Sequence, residues 1–402
     1  MGRLCGALIG ALFFIWIADT RALDPGEIGW LSHWDWPVHF FGWHFFRNEP
    51  WHWPPGLVQT YNAPVGTSIG FNDSIPLAAF ALKPFRGVLP MPFQYIGPWL
   101  FLCFVLQGWF GAWLVSCWTS RLSIQACGAA LFVMMPTLLI RIGHPALCAH
   151  WLLLWVLVIA AREGEPRARV SEWAVIGLLA GLIQPYLAAM VLALLIAVAL
   201  TPAQLSLTTR SRALTAAGAA TIVAWWSWGV FSVIGSGSLS EGGLGLYSMN
   251  LLGPISPAGW SAFLPDLPFA TSAQPFEGFQ YLGLGVLLML AAAATVSIAA
   301  RRRERPLSSD RRFREFGPVV GLTALAMAIF ALSPVVTFGS QVLIDYSGPW
   351  TAPLAVFRST GRFFWPLAYL LVGWSLAVLV RRLPSRVGLS ILLTIVTVQA
   401  ID

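Results

Sequence analysis

The sequence predicts an all-α integral membrane protein of about eleven transmembrane helices, forming a single membrane domain over residues 1–402. Three observations carry this. Charged residues make up 10% of the chain, against about 25% in an ordinary soluble domain. Apolar residues make up 57% of the 402, and a soluble chain of that size could not cover its surface with so few charges. Long windows contain no Asp, Glu, Lys or Arg: 87–120, 122–140, 142–161, 173–209, 213–240, 278–300, 316–344, 363–380 and 387–401. A membrane helix needs about 20 mostly apolar residues.

Taken in order, the first apolar run covers residues 4–18. It reaches only ~23 Å at a helix rise of about 1.5 Å per residue, so it reads as a short uncleaved anchor. A cleaved signal peptide flanked by Arg3 is the alternative, but bulky Trp16 would then occupy the −3 position. Residues 19–94 form a first outer loop. Six of the 21 tryptophans stand between Trp30 and Trp53. The loop is too aromatic for disorder and reads as short amphipathic helices in the headgroup layer. The spans from 87 onward follow the windows. The window 173–209 is long for one span and short for two, and Gln184-Pro185-Tyr186 breaks it.

Charge decides how that window folds. With a hairpin there and the N-terminus inside, the inner loops hold 17 of the 24 basic residues. A single kinked span would turn the arginine-rich residues 301–314 outward, against the positive-inside rule. The hairpin gives eleven spans and an outer C-terminus. Eleven of the seventeen acids and all six histidines then fall on the outer side, which also carries long loops at 235–280 and 333–362. The net charge of +7 is thus an orientation signal rather than a sign of nucleic-acid binding. Lys83 is the only lysine, and the five cysteines show no disulfide framework or metal spacing.

The chemically capable residues lie in the outer loops. Asp35, within Trp34-Asp35-Trp36-Pro37, is a candidate general base: aromatic neighbours at a membrane surface should desolvate it. Capping of a helix beginning at Pro37 is the plainer role. His33, Asp35, His39 and His44 also allow a metal reading, but their spacing matches no zinc signature, so no metal or other cofactor is assigned. Asn72-Asp73-Ser74 is a second polar cluster, with an Asx turn as its plain reading. Arg358 and Arg362, four apart at a helix start, suit a phosphate. Lipid snorkelling or pairing with Asp345 is the alternative. Arg141 and His144 make a smaller basic point on the same face. There is no GxxxxGK[ST] loop and no GxGxxG after a strand, so an energy-rich substrate must arrive through the lipid phase.

The order of these features resembles the GT-C class of multi-pass membrane glycosyltransferases, and within it a poorly characterised bacterial family. The matching stretches include Asp35…His39-Phe-Phe-Gly-Trp, Asn72-Asp73-Ser-Ile-Pro, Arg141-Ile-Gly-His144 and Gln184-Pro-Tyr186. Trp51…Pro54-Pro-Gly56, Phe93-Gln94-Tyr95, Tyr247-Ser…Asn250-Leu-Leu, Glu277-Gly-Phe-Gln-Tyr281 and Phe357-Arg…Arg362-Phe complete them. The resemblance implies a polyprenyl-phosphate sugar as donor, and transfer to an acceptor hydroxyl on a glycan, protein or lipid. It places the protein in a bacterial inner membrane among membrane lipids, with the active site periplasmic. It implies Asp35 as base with Asp73 as second candidate, and Arg358, Arg362 and Arg141 as donor-phosphate contacts. His39, His144, Tyr186, Tyr247, Asn250 and Glu277 become substrate-binding. Relatives often continue into an outer soluble domain, whereas this chain stops at Asp402, just past the last span. One displacement would invert the sugar, and a carboxylate pair about 5 Å apart would retain it. A non-enzymatic lipid-sugar flippase or export scaffold is the rival reading. It should show intramembrane charges or symmetric broken helices, and the sequence shows no internal repeat.

Overall fold

A computed structural model describes residues 1–162, 169–201, 206–233, 242–302 and 316–402. Residues 163–168, 202–205, 234–241 and 303–315, which include nearly all of the arginine-rich stretch expected on the inner side and part of the long loop expected on the outer side, lie outside the described residues. The described chain is mostly helical. Helix α1 is Gly2–Ile17, and the first loop carries α2 (Trp36–Asn48) and α3 (Pro76–Leu82). Then follow α4 (Ile96–Ser116), α5 (Leu122–Val133), α6 (Pro136–Leu139), α7 (Trp151–Ala161), α8 (Val170–Ile183) and α9 (Pro185–Leu200). The remainder is α10 (Leu207–Ser227), α11 (Val230–Val233), α12 (Leu284–Arg302), α13 (Gly317–Ala331), α14 (Trp365–Arg382) and α15 (Ser385–Ile401). Two small antiparallel hairpins, β1 (Leu57–Val58) with β2 (Thr67–Ser68) and β3 (Val335–Phe338) with β4 (Gln341–Asp345), were not expected.

Helix α4 and the helical stretch Thr360–Arg382 are each long and apolar enough to cross a membrane. Helix α5 with the segment through Gly143 makes a third, bent by 48°. The other apolar helices are 10–17 residues long, below the roughly 20 of a full crossing. Length alone therefore does not reach the expected eleven.

The bend follows from sequence. Pro136 has no N–H to give and begins a new helix. The carbonyls it frees are met by glutamines from neighbours: Gln107 donates to Phe132 at 3.1 Å and Gln399 to Met134 at 3.3 Å. Helix α1 packs along α4 through glycines. A Cβ on Gly108 would lie 2.0 Å from the Gly6 carbonyl oxygen, and one on Gly10 would lie 2.0 Å from that of Phe104. The window 173–209 does divide at Gln184-Pro185, where Gln184 is extended between α8 and α9.

Contacts sort the turns into two ends. At one, the Arg3 guanidinium lies 3.8 Å from the Trp113 ring centre, and Trp118 meets Phe316. At the other, Gln184 meets Asp73, and Asp402 accepts from Tyr281 and Leu284. The first loop is folded onto that second end. Buried Arg47 donates to the carbonyls of Arg86, Leu89 and Pro90 at 3.0, 2.6 and 2.7 Å, and Trp43 donates to Phe93.

Candidate active site

Six segments bring their scarce polar residues to one place at this second end. Glu277, in the loop before α12, is the hub. Arg141 reaches its Oε2 at 3.1 Å and Arg362 at 2.8 Å, while His144 Nε2 stands 3.1 Å from Oε1. The loop carrying Glu277 approaches the turn carrying Arg362 closely: a Cβ on Gly361 would sit 3.0 Å from the Gly278 Cα. Gln280 donates to the Gly361 carbonyl at 2.7 Å. The turn after the bent helix delivers Arg141, which also donates to the Phe276 carbonyl. Burial opposes the charge of Glu277, but Arg362, His144 and Arg141 outweigh it and hold the carboxyl well below the usual carboxylate range. Two guanidiniums share one carboxylate, so this trio carries one net positive charge, which the carboxylates of Asp35 and Asp73 face.

The opposite edge of His144 faces Asp35, with Nδ1 3.1 Å from Oδ2. Asp35 stands at the start of α2 but its side chain makes no capping bond. Its carboxylate is 58% exposed, so the expected desolvation by aromatics is not found. The neighbouring tryptophans pack elsewhere. Trp36 donates to the Ile142 carbonyl at 2.9 Å. Trp34 holds left-handed backbone at φ 58° and meets Phe276. What Asp35 offers is access, with one imidazole beside it.

Asp73 forms the third part. It too is left-handed, at φ 53°, as is Ile75 at φ 51°, a strained geometry that clusters at functional sites. No Asx turn forms. Instead Asp73 Oδ1 accepts from Gln184 at 3.2 Å, and its carbonyl accepts from His39 Nδ1 at 2.8 Å. His39 lies on the inner face of α2, and burial pushes its ring below the ordinary histidine range against the pull of Asp73. Its Nε2 is buried without a partner. One ligand atom each from His39, Asp73 and His144 lies within 4.8 Å of the others, a set able to hold a cation. Of the metal set considered from sequence, only His39 takes part. His33 meets Ser32, and His44 packs against Phe40 and Phe45.

Other expectations need correction. Arg358 and Arg362 do not share a helix face, because the chain there is a 3-10 turn rather than an α-helix. Arg362 is buried, with its guanidinium 4.7 Å from the Tyr186 ring centre. Arg358 is exposed, 5.9 Å from the ring centre of Tyr247. Tyr186 is in the site and accepts from the Ser359 amide at 3.0 Å. Asn250 is not available to a substrate. Its amide donates to Gln274, Thr337 and Gly339, and its oxygen accepts from Leu252 and Gly339. Tyr247 serves mainly through its backbone, accepting from Gly361 at 3.1 Å. Gln184 was not singled out as a site residue, although a polar residue before proline inside an apolar run is a visible signal.

Residues 7–402 match the family model described as Domain of unknown function (DUF6311). No curated protein and no solved structure matches the chain.

Proposed function

The chain belongs to the DUF6311 family, a family of unknown function, and we propose that it is a membrane glycosyltransferase using a polyprenyl-phosphate sugar. The observation that carries the reading is the convergence of Asp35, Asp73, His144 and the Arg141–Glu277–Arg362 cluster at one end of an apolar helix bundle. An accessible carboxylate near two buried guanidiniums suits a reaction that takes a proton from a hydroxyl and releases a phosphate.

In this reading the donor lipid lies along the helices in a bacterial inner membrane, and the site opens to the periplasm. Asp35 takes the acceptor hydroxyl proton. The acceptor oxygen bonds to the anomeric carbon while the bond from that carbon to the phosphate oxygen breaks. The leaving phosphate gains charge as it departs, next to Arg362 and Arg358, where a preset positive field counts most. Asp73, held by Gln184, orients the same space.

The test is to incubate the purified chain with a polyprenyl-phosphate sugar and an acceptor mixture, and to measure released polyprenyl phosphate. Asp35→Asn should cut release at least about 100-fold with the fold intact. Full release by that variant removes Asp35 as base. Movement of the lipid sugar between leaflets without release supports a flippase instead.

A further inference from the structure

We propose that His39, Asp73 and His144 form a binding site for a divalent transition-metal ion of the zinc type. Their ligand atoms lie within 4.8 Å of one another. Ligands about 2.0–2.1 Å from a tetrahedral zinc stand roughly 3.4 Å apart, so a closure of up to about 1.4 Å completes the geometry.

The argument rests on how each ligand is held. A backbone carbonyl can only accept, so the 2.8 Å contact from His39 Nδ1 to the Asp73 carbonyl puts the ring proton on Nδ1. The lone pair is then on Nε2, which is buried and without a partner. Metal-ligating histidines are oriented in this way, by giving the other ring N–H to a carbonyl or carboxylate. At His144, Nδ1 stands 3.1 Å from Asp35, and Nε2, 3.1 Å from the Glu277 carboxylate, is buried and makes no hydrogen bond. One nitrogen can ligate while the other keeps its carboxylate. Asp73 has Oδ1 on Gln184, leaving Oδ2 for an ion. Asp73, in left-handed backbone, gives its side chain to Gln184 and its carbonyl to His39. Two imidazoles and one carboxylate suit zinc or cobalt rather than calcium or magnesium. Three protein ligands leave a position open for water or a substrate oxygen. The site does not depend on the sugar-transfer reading.

The test uses the full chain purified without a histidine tag, stripped with a chelator and titrated with Co(II). One Co(II) per chain is expected, with the visible absorption of a tetrahedral or five-coordinate site, displaced by Zn(II). His39→Ala and Asp73→Asn should each weaken binding by at least about tenfold, while His33→Ala should bind as the unchanged chain does. Elution as a single species in gel filtration shows that each variant is folded, and Asp73→Asn keeps shape if His39→Ala does not. Absence of saturable binding overturns the site. So does binding that survives Asp73→Asn, or that is lost equally in His33→Ala. Since binding is read without turnover, its failure is distinct from failure of the transfer assay.

Discussion

Replacing Glu277 by Gln tests the hub directly. The amide keeps the shape of the carboxyl and removes its charge. Arg141 and Arg362 would then face each other without the carboxylate between them, and the side chains of Arg141 and Glu277 are only 1% and 13% exposed. Each guanidinium, with its charge centre about 4 Å from that of the carboxylate, is worth about 4 kcal/mol at an effective dielectric near 20. Desolvation cancels much of that gain, and breaking a buried pair by removing one partner costs about 3–5 kcal/mol. The assay is unfolding in detergent, wild type against Glu277→Gln, from pH 7 downward. Because the folded state holds the Glu277 carboxyl below its ordinary value, its stabilising effect is full above the unfolded pKa of about 4.3 and is lost as pH falls below it. The gap between the two proteins should be about 3–5 kcal/mol at pH 7 and should shrink in acid. Glu277→Gln combined with Arg362→Gln should lose less than the sum of the two. A gap below about 1 kcal/mol at pH 7, the size expected of an exposed pair, refutes the reasoning, as does a gap that widens in acid.

Three further outcomes follow from the same structure. Gly108→Leu forces a side chain into the carbonyl of Gly6, 2.0 Å from the new Cβ, and should lower stability by about 1–3 kcal/mol or more in detergent unfolding. Asn250→Ala leaves the amides of Leu252 and Gly339 without their side-chain acceptor and should cost about 1–3 kcal/mol, with Co(II) binding per folded chain retained. Arg358→Gln should leave unfolding unchanged, since that side chain is exposed, and should raise the KM for a lipid-phosphate donor.

Much of the site could be read from the sequence because the chain has so few charges to misplace. In a polypeptide that is 10% charged, an arginine or acid beside an apolar run is conspicuous, and Asp35, Arg141, His144, Glu277 and Arg362 do meet. What escaped was geometry that spacing does not encode. Arg358 and Arg362 look like a helix pair, but Arg358 ends one 3-10 turn and Arg362 lies inside the next. The contact of His39 with Asp73 joins residues 34 apart through a left-handed turn, and αL backbone at Asp or Ile leaves no compositional mark. Asn250 has the appearance of a ligand-binding polar residue, yet its hydrogen bonds are spent on holding β3 to its own loop. The bend at Pro136 was visible as a proline. That Gln107 and Gln399 would meet its freed carbonyls was not, since they come from α4 and α15.

The two candidate carboxylates are not interchangeable, and their surroundings separate their roles. Asp73 is fixed three ways: Gln184 on its side chain, His39 on its carbonyl, and backbone strain that keeps both in place. A group held so tightly is suited to coordinate, because ligation rewards fixed distance and direction. Asp35 stands beside the His144 ring and is 58% exposed. A base must reach a hydroxyl that arrives from outside and must pass its proton on, so exposure serves it better than rigidity. His144 touches Asp35 and belongs to the cation set, so it joins the two. Bound metal should therefore change the transfer rate in wild type. A rate profile that is the same with and without metal would separate the two functions, leaving Asp35 to act on its own.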